Sequence, residues 1–307
     1  MASAKTPLYT ALAANLGIAL IKFVAASITG SSAMASEGIH SLVDTLNEVL
    51  LLLGLNRSQR PPDEKRPFGY GREQYFWSYV VALLIFGVGG GVSLYEGVTH
   101  LQHPELPEDP FWNYVVLSIA FILDGYSLIT AWRAFNAKRG QQSVWAAIKD
   151  SKDAATFTVL LEDVSDVLGL IIAFLGVFLS QALANPYLDG IASLLIGLLL
   201  VGVAAVLARE SKSLLMGEGV DPETTRQLMA LTEADPTVLK AVRIATIYLG
   251  PQEITMVQGV AFQSELTTEV INQAIVRIHE SIYKAFPDIK HAYIQPVTMT
   301  QEEEATQ

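Results

Sequence analysis

The first two thirds of the chain alternate long apolar segments with short polar connections. A helix that crosses the hydrocarbon core of a bilayer needs about 20 mostly apolar residues. Six segments meet this requirement, at about residues 8–30, 33–54, 74–98, 111–135, 154–183 and 187–207. The pattern therefore predicts six transmembrane helices, numbered here as spans one to six.

Basic residues in the connections give these spans an orientation. They are concentrated after span two (Arg57, Arg60, Lys65, Arg66, Arg72) and after span four (Arg133, Lys138, Arg139, Lys149, Lys152). The connections after spans one, three and five have no Lys or Arg, and the one after span three is acidic. Because basic connections stay cytoplasmic, we predict an integral membrane protein with both termini in the cytoplasm, in a bacterial inner membrane.

The chain becomes polar after span six and shows the patterns of a soluble domain. Alternation predicts strands at residues 239–249, 253–262 and 291–297, and helical periodicity predicts helices at 222–233 and 266–286. Asp221 is the expected N-cap of the first of these helices, with Pro222 at its first position. The order αββαβ is typical of a ferredoxin-like α+β domain. We predict a transmembrane domain at 1–210, a cytoplasmic domain at 211–300 and a disordered tail at 301–307.

Composition agrees with a membrane protein that has a soluble portion. Hydrophobic residues make up 51% of the 307 residues, charged residues only 17%, and the mean hydropathy is +0.36. The absence of cysteine excludes disulfides and thiolate metal sites, and the net charge of −11 argues against nucleic-acid binding. The opening segment MASAKTP is expected to be too short and too weakly basic for a separate signal peptide.

Two pairs of ionisable residues stand in the middle of predicted spans. His40 and Asp44 are four residues apart in span two, and Glu162 and Asp166 have the same spacing in span five. Residues four apart project from one face of a helix. Because a charged group at the centre of a bilayer costs about 2.5–3.5 kcal/mol on insertion scales, two matched pairs indicate function. One imidazole and three carboxylates suit a borderline divalent metal.

The same four residues indicate how transport would be coupled. Three carboxylates exceed the charge of one dication, so protons are expected to replace the metal in the empty state. The alternative is a membrane scaffold or receptor whose carboxylates are structural, for example paired with Lys22 of span one. A channel would predict uncoupled current. An intramembrane metalloenzyme would need a His-Glu-x-x-His motif or a deep Ser/His pair, and the sequence has neither.

Other polar residues of the spans are secondary candidates. Asp163 is adjacent to Glu162 but about 100° around the helix, and Asn47 lies near the site on span two. Asp124, in span four, is expected either to serve a proton path or to pair with Lys22. Asp189 follows Asn-Pro and is expected to cap span six.

Four segments resemble the cation diffusion facilitator family of divalent metal transporters: SEGIHSLVDTLNEVLLLLG, RPPDEKRPFGYGREQYFW, LYEGVTHL and YLDGIASLLIGLLL. The resemblance covers nearly the whole chain and is greatest to the branch with the animal mitochondrial zinc-transporter-like members. It implies a homodimer that exchanges cytoplasmic metal for outside protons, with Zn, Mn, Fe, Co or Cd as substrate. The family's four metal ligands fall on His40, Asp44, Glu162 and Asp166.

The sequence departs from the family pattern at three places. Glu162 stands where zinc-selective members have His. An oxygen ligand in place of nitrogen hardens the site, so Mn and Fe(II) become stronger candidate substrates, although Zn is still ranked first. The family's second site, in the connection after span two, retains only Asp63. Ile294 and Gln295 replace the ligands expected in the last strand. We therefore expect no strong metal site in the cytoplasmic domain, which would act in dimerisation, and no cofactor besides the transported metal.

Overall fold

The computed structural model describes residues 5–106, 110–140 and 143–298. Helices build the first part of the chain: α1 (Lys5–Thr29), α2 (Ser32–Ser58), α3 (Glu73–Leu84), α4 (Gly91–Gln102), α5 (Phe111–Arg139), α6 (Val144–Asp150), α7 (Ala154–Ala182) and α8 (Tyr187–Met216). A π-helical segment, Ile85–Gly90, joins α3 to α4 without a break. The disordered tail predicted at 301–307 lies outside the described residues.

The predicted membrane helices are confirmed. Five helical stretches have the length and apolar character to cross a membrane, and the part of α1 at Asn15–Thr29 is a shorter apolar helix. The six predicted spans correspond to α1, α2, the continuous α3–α4 helix, α5, α7 and α8. The short helix α6 was not predicted. Its main local signal is Ser143, whose hydroxyl accepts a hydrogen bond from Ala146 N at the helix start.

The chain divides into two compact units. One is built from the long helices, and the other joins the segment Ser58–Arg72 to the chain from Ser213 onward. The segment Ser58–Arg72 therefore groups with the C-terminal unit although it falls within the range 1–210. Helix α8 continues to Met216, past the boundary drawn at residue 210.

The C-terminal unit has the predicted αββαβ order. Its elements are α9 (Pro222–Glu233), β1 (Val238–Gly250), β2 (Glu253–Phe262), α10 (Thr268–Ala285) and β3 (Ile289–Pro296). The sheet order is β1-β2-β3, with β1 antiparallel and β3 parallel to β2. Apolar side chains of both helices and all three strands form its core (Leu228, Val238, Ile254, Met256, Val260, Ile278, Ile282, Ile289, Ala292). The cap is as predicted, since Asp221 accepts hydrogen bonds from Glu223 N and Thr224 N.

The segment Ser58–Arg72 packs closely on the sheet of its unit. A Cβ atom at Gly71 would lie 2.4 Å from the carbonyl oxygen of Leu249 on β1, so this approach requires glycine. The Phe68 ring meets the His291 ring of β3 edge-on, with centroids 5.5 Å apart. These contacts explain why the segment belongs to the C-terminal unit.

Asp189 does not have the predicted role. It lies in the first turn of α8, but its carboxylate caps the start of α2: Ser31 Oγ donates to Oδ1 at 2.7 Å, and Ser32 N donates to Oδ2 at 2.6 Å. Ser32 Oγ and Ala33 N add two more hydrogen bonds. The carboxylate is fully buried, and four donors compensate its burial. Asp189 thereby ties α8 to the helix that carries His40 and Asp44.

We expect Asp189→Ala to lower the free energy of unfolding by about 2–4 kcal/mol, because it leaves the start of α2 uncapped and its buried donors unpaired. Thermal unfolding in detergent would measure the loss. Asp221→Ala is the matched control, since that exposed cap of α9 is worth only about 0.5–2 kcal/mol. An Asp189→Ala protein as stable as the Asp221→Ala protein would contradict this account.

Candidate metal site

Three of the four predicted ligands meet between α2 and α7. His40 Nε2 lies 3.2 Å from Asp166 Oδ1 and 3.8 Å from Asp44 Oδ2. One ligand atom from each residue falls within 4.8 Å of the other two. Donors that surround a tetrahedral zinc at about 2.0–2.2 Å lie roughly 3.4 Å apart, so only a small contraction would place all three on one ion.

Burial makes this cluster suited to a cation. His40 is 1% exposed, in the middle of an apolar helix pair. Neither ring nitrogen of His40 has a hydrogen-bond partner among the described residues, and Asp44 Oδ1 also lacks one. Buried polar atoms are normally hydrogen-bonded. A divalent ion would satisfy the unpaired imidazole nitrogen and carboxylate oxygens together.

Glu162, the fourth predicted ligand, is not part of this group. Its Oε1 accepts a hydrogen bond of 2.7 Å from Asn47 Nδ2, across from α2 to α7. Among the described residues, the only cluster of three or more possible donors contains His40, Asp44 and Asp166. The spacing correctly puts Glu162 on the same side of α7 as Asp166, but the Asn47 amide holds its carboxylate away from the cluster.

A cavity of about 330 Å³ adjoins the cluster. Six carboxylates line it: those of the three predicted ligands other than His40, those of two secondary candidates, and that of Glu48 on α2 (Asp44, Asp166, Glu162, Asp124, Asp163, Glu48). Besides Glu162, two of these have hydrogen-bond partners: Asp163 accepts from Ser127 Oγ, and Glu48 accepts from Asn15 Nδ2. The cavity therefore offers an approach lined by carboxylates to the three candidate ligands.

Lys22 has a different partner from the two that the sequence suggested. Its ammonium donates to Glu37 Oε2 at 3.0 Å and to Ser41 Oγ at 2.7 Å. It makes no ion pair with Asp124 or with the cluster carboxylates among the described residues. Asp124 lines the cavity instead. Sequence spacing could not reveal the Lys22–Glu37 pair, because its members lie on separate helices.

Asp63 serves the turn of its own segment. It accepts hydrogen bonds from Tyr70 Oη at 2.5 Å and from the backbone of Lys65 and Arg66. The hydrogen bond from the Tyr70 hydroxyl, with those from the backbone, lowers the pKa of Asp63. It does not join any cluster of possible metal ligands within the described ranges.

Comparison with known proteins identifies the family of this chain. Residues 8–216 match the family model of the cation efflux transmembrane domain. That match covers more than half of the chain, and the protein belongs to the cation efflux family, the cation diffusion facilitators.

Three relatives show the range of that family. The human protein named proton-coupled zinc antiporter SLC30A9, mitochondrial, is 35% identical over 249 residues, 80% of this chain and 44% of its own length. Metal tolerance protein C4 of Arabidopsis thaliana is 28% identical over 85% of this chain and 57% of its own. The manganese efflux system protein MneP of Bacillus subtilis is 25% identical over 92% of both chains. This chain thus spans less than half the length of the human relative.

We expect Asp166→Asn to weaken Zn²⁺ binding by at least about 100-fold, because loss of a ligand exceeds the 10–100-fold effect of losing a supporting residue. Competition with a fluorescent chelator on the purified protein would measure it. Asp163→Asn is the matched control, since Asp163 lies on the same helix but outside the cluster. Equal losses in both variants would mean that the cluster is not the binding site.

Proposed function

We propose that this protein exports divalent transition-metal ions from the cytoplasm in exchange for protons. The observation that carries the proposal is the meeting of buried His40 with partly buried Asp44 and Asp166 between apolar helices, beside a carboxylate-lined cavity. Membership of the cation efflux family supports it. Zn²⁺ is the first substrate we propose, and Mn²⁺, Fe²⁺, Co²⁺ and Cd²⁺ form the broader set.

Charge balance supports coupling to protons. The cluster brings two carboxylates to one dication, and Glu162 adds a third within the same cavity. An empty site with several buried carboxylates is stable only if protons or other cations take the place of the metal. Metal binding would release those protons, and proton binding from the other side would release the metal.

The mixed donor set supports a broad choice of metal. The His40 imidazole favours zinc and cobalt, whereas carboxylate oxygens favour manganese. Relatives named for zinc and for manganese both match this chain. We assign the preference for manganese to Glu162. In the proposed metal-bound state its carboxylate turns from Asn47 toward the ion and adds an oxygen ligand.

The cellular setting is a further part of the proposal. We place the chain in a bacterial inner membrane, as a homodimer joined through its cytoplasmic unit, with both termini in the cytoplasm. The basic segment Ser58–Arg72 and the match of the Bacillus protein over 92% of both chains support this setting. The animal relatives are named as mitochondrial.

A scaffold with purely structural carboxylates is the weaker alternative. It would be favoured if a buried cation neutralised the cluster. The ammonium of Lys22 is instead bound to Glu37, and the relatives are named as transporters. The donors of the cluster are therefore better explained by a cation that comes and goes.

Purified protein in liposomes should take up Zn²⁺ faster when the vesicle interior is more acidic than the medium, because protons then leave as the metal enters. Collapse of the gradient with an ionophore should slow uptake severalfold, and Asp44→Ala should abolish it. A metal-sensitive dye inside the vesicles and a pH dye would follow both ions. Flux that ignores the gradient would contradict antiport and favour a channel, and undiminished flux in Asp44→Ala would contradict the site.

Glu162→His should shift the preference from Mn²⁺ toward Zn²⁺ by roughly tenfold, because an imidazole replaces a hard oxygen donor. The ratio of initial uptake rates for the two metals would measure the shift. Asp163→His is the control, since it places the same imidazole on the neighbouring face of α7. An unchanged ratio in Glu162→His would show that this position does not set selectivity.

A further inference from the structure

A buried ion pair lies next to the metal site without taking part in it. Lys22 of α1 and Glu37 of α2 are 1% and 0% exposed, and Lys22 Nζ lies 3.0 Å from Glu37 Oε2. Ser41 Oγ is also 2.7 Å from Lys22 Nζ. Burying two charges in this way costs several kcal/mol per ion before their attraction is counted. Such a pair is retained more readily when it does more than hold two helices together.

Only one oxygen of the Glu37 carboxylate contacts Lys22. Oε2 accepts from Lys22, whereas Oε1 has no hydrogen-bond partner among the described residues. His40 follows Glu37 by three residues on α2, so the two side chains share a helix face. The Nδ1 atom of His40 also has no partner. One buried acceptor and one buried potential donor are thus left over side by side.

Gly169 of α7 shows that these two atoms border the same space. A Cβ atom at residue 169 would lie 2.3 Å from Glu37 Oε1 and 3.6 Å from His40 Nδ1. The absence of a side chain at this position leaves room for the carboxylate oxygen against α7. A methyl group there would force the carboxylate to move.

We propose that Glu37 is a positioning residue for His40, an inference that rests on the proposed function. The carboxylate accepts a hydrogen bond from the Nδ1–H of His40, directly or through one water molecule. That fixes the tautomer in which unprotonated Nε2 faces Asp44 and Asp166. Lys22 holds Glu37 in place for this task. A carboxylate behind a metal-bound imidazole also raises its basicity as a ligand.

The expected consequence is selective. Zn²⁺ and Co²⁺ depend on the imidazole more than Mn²⁺ does. Loss of the Glu37 carboxylate at Nδ1 should therefore weaken binding of Zn²⁺ and Co²⁺ by about 10–100-fold. Binding of Mn²⁺ should change by less than about threefold, because carboxylate oxygens carry most of it.

The charge-swapped variant Lys22→Glu/Glu37→Lys separates this role from a purely structural one. It keeps a buried ion pair between α1 and α2, but it places an ammonium, which has only donors, beside Nδ1. The neutral His40 ring would then carry its hydrogen on Nε2, the nitrogen that faces the metal, instead of on Nδ1. We expect weak Co²⁺ binding with an altered visible absorption spectrum, measured on the purified full chain. Co²⁺ affinity and spectrum like those of the wild type would overturn the proposal.

Gly169→Ala tests the same contact without touching a charge. It should displace the Glu37 carboxylate and lower the ratio of Co²⁺ to Mn²⁺ affinity at least fivefold. Gly176→Ala is the matched control on the same helix, because the nearest neighbours of its Cβ would be Ala192 and the backbone of Leu188, not Glu37 or His40. An equal ratio in the two glycine variants would overturn the proposal, even if the charge-swapped variant failed to fold.

Different outcomes would overturn the positioning role of Glu37 and the proposed function. Suppose that the wild type binds Co²⁺ and that Asp166→Asn weakens this binding. A Glu37→Gln variant with the Co²⁺ affinity and spectrum of the wild type would then overturn the positioning role alone. Wild-type protein that neither binds nor transports Zn²⁺, Co²⁺ or Mn²⁺ would overturn the proposed function itself.

Discussion

A charge buried among apolar helices must have a partner, and the helical unit is organised around this constraint. Asp189 is compensated by the donors at the start of α2, and Lys22 by Glu37 and Ser41. The Asp189 contacts join α8 to the start of α2, which is distant in the sequence, and the Lys22 contacts join the consecutive helices α1 and α2. The requirement to neutralise charge thus fixes which helices lie side by side, and not only how stable they are.

The candidate metal cluster contains buried polar atoms that lack hydrogen-bond partners among the described residues. His40, Asp44 and Asp166 lie close together with several ligand atoms unpaired, although the same helices satisfy other buried charges a turn away. A structural site would be expected to close its own hydrogen bonds. Unpaired donors agree with the proposed transport, in which an ion must be bound tightly enough to lose its water and loosely enough to leave.

Features with a strong local signal could be predicted from the sequence. The six apolar segments, the αββαβ order and the Asp221 cap all depend on short-range periodicity and capping chemistry. The three-residue cluster was also within reach, because spacing of four residues places His40 and Asp44 on one face of α2. The opposing Asp166 follows from the rarity of carboxylates in such helices.

Features that depend on competition between partners could not be predicted. Spacing places Glu162 on the face of α7 that carries Asp166, but it does not show that the Glu162 carboxylate accepts a hydrogen bond from Asn47. Asp189 stands where an aspartate often caps its own helix, and only the packing of α8 against the start of α2 shows its actual donors. The grouping of Ser58–Arg72 with the C-terminal unit depends on a close approach of Gly71 to β1, which leaves no periodic trace.

That grouping has a consequence for how the C-terminal unit is assembled. The segment Ser58–Arg72 links α2 to α3 in the chain, yet it packs on the sheet of the C-terminal unit. The unit is therefore built from two separate stretches of the sequence. A fragment that began at Ser213 would contain all three strands and both helices, but it would lack the segment that covers β1 near Leu249.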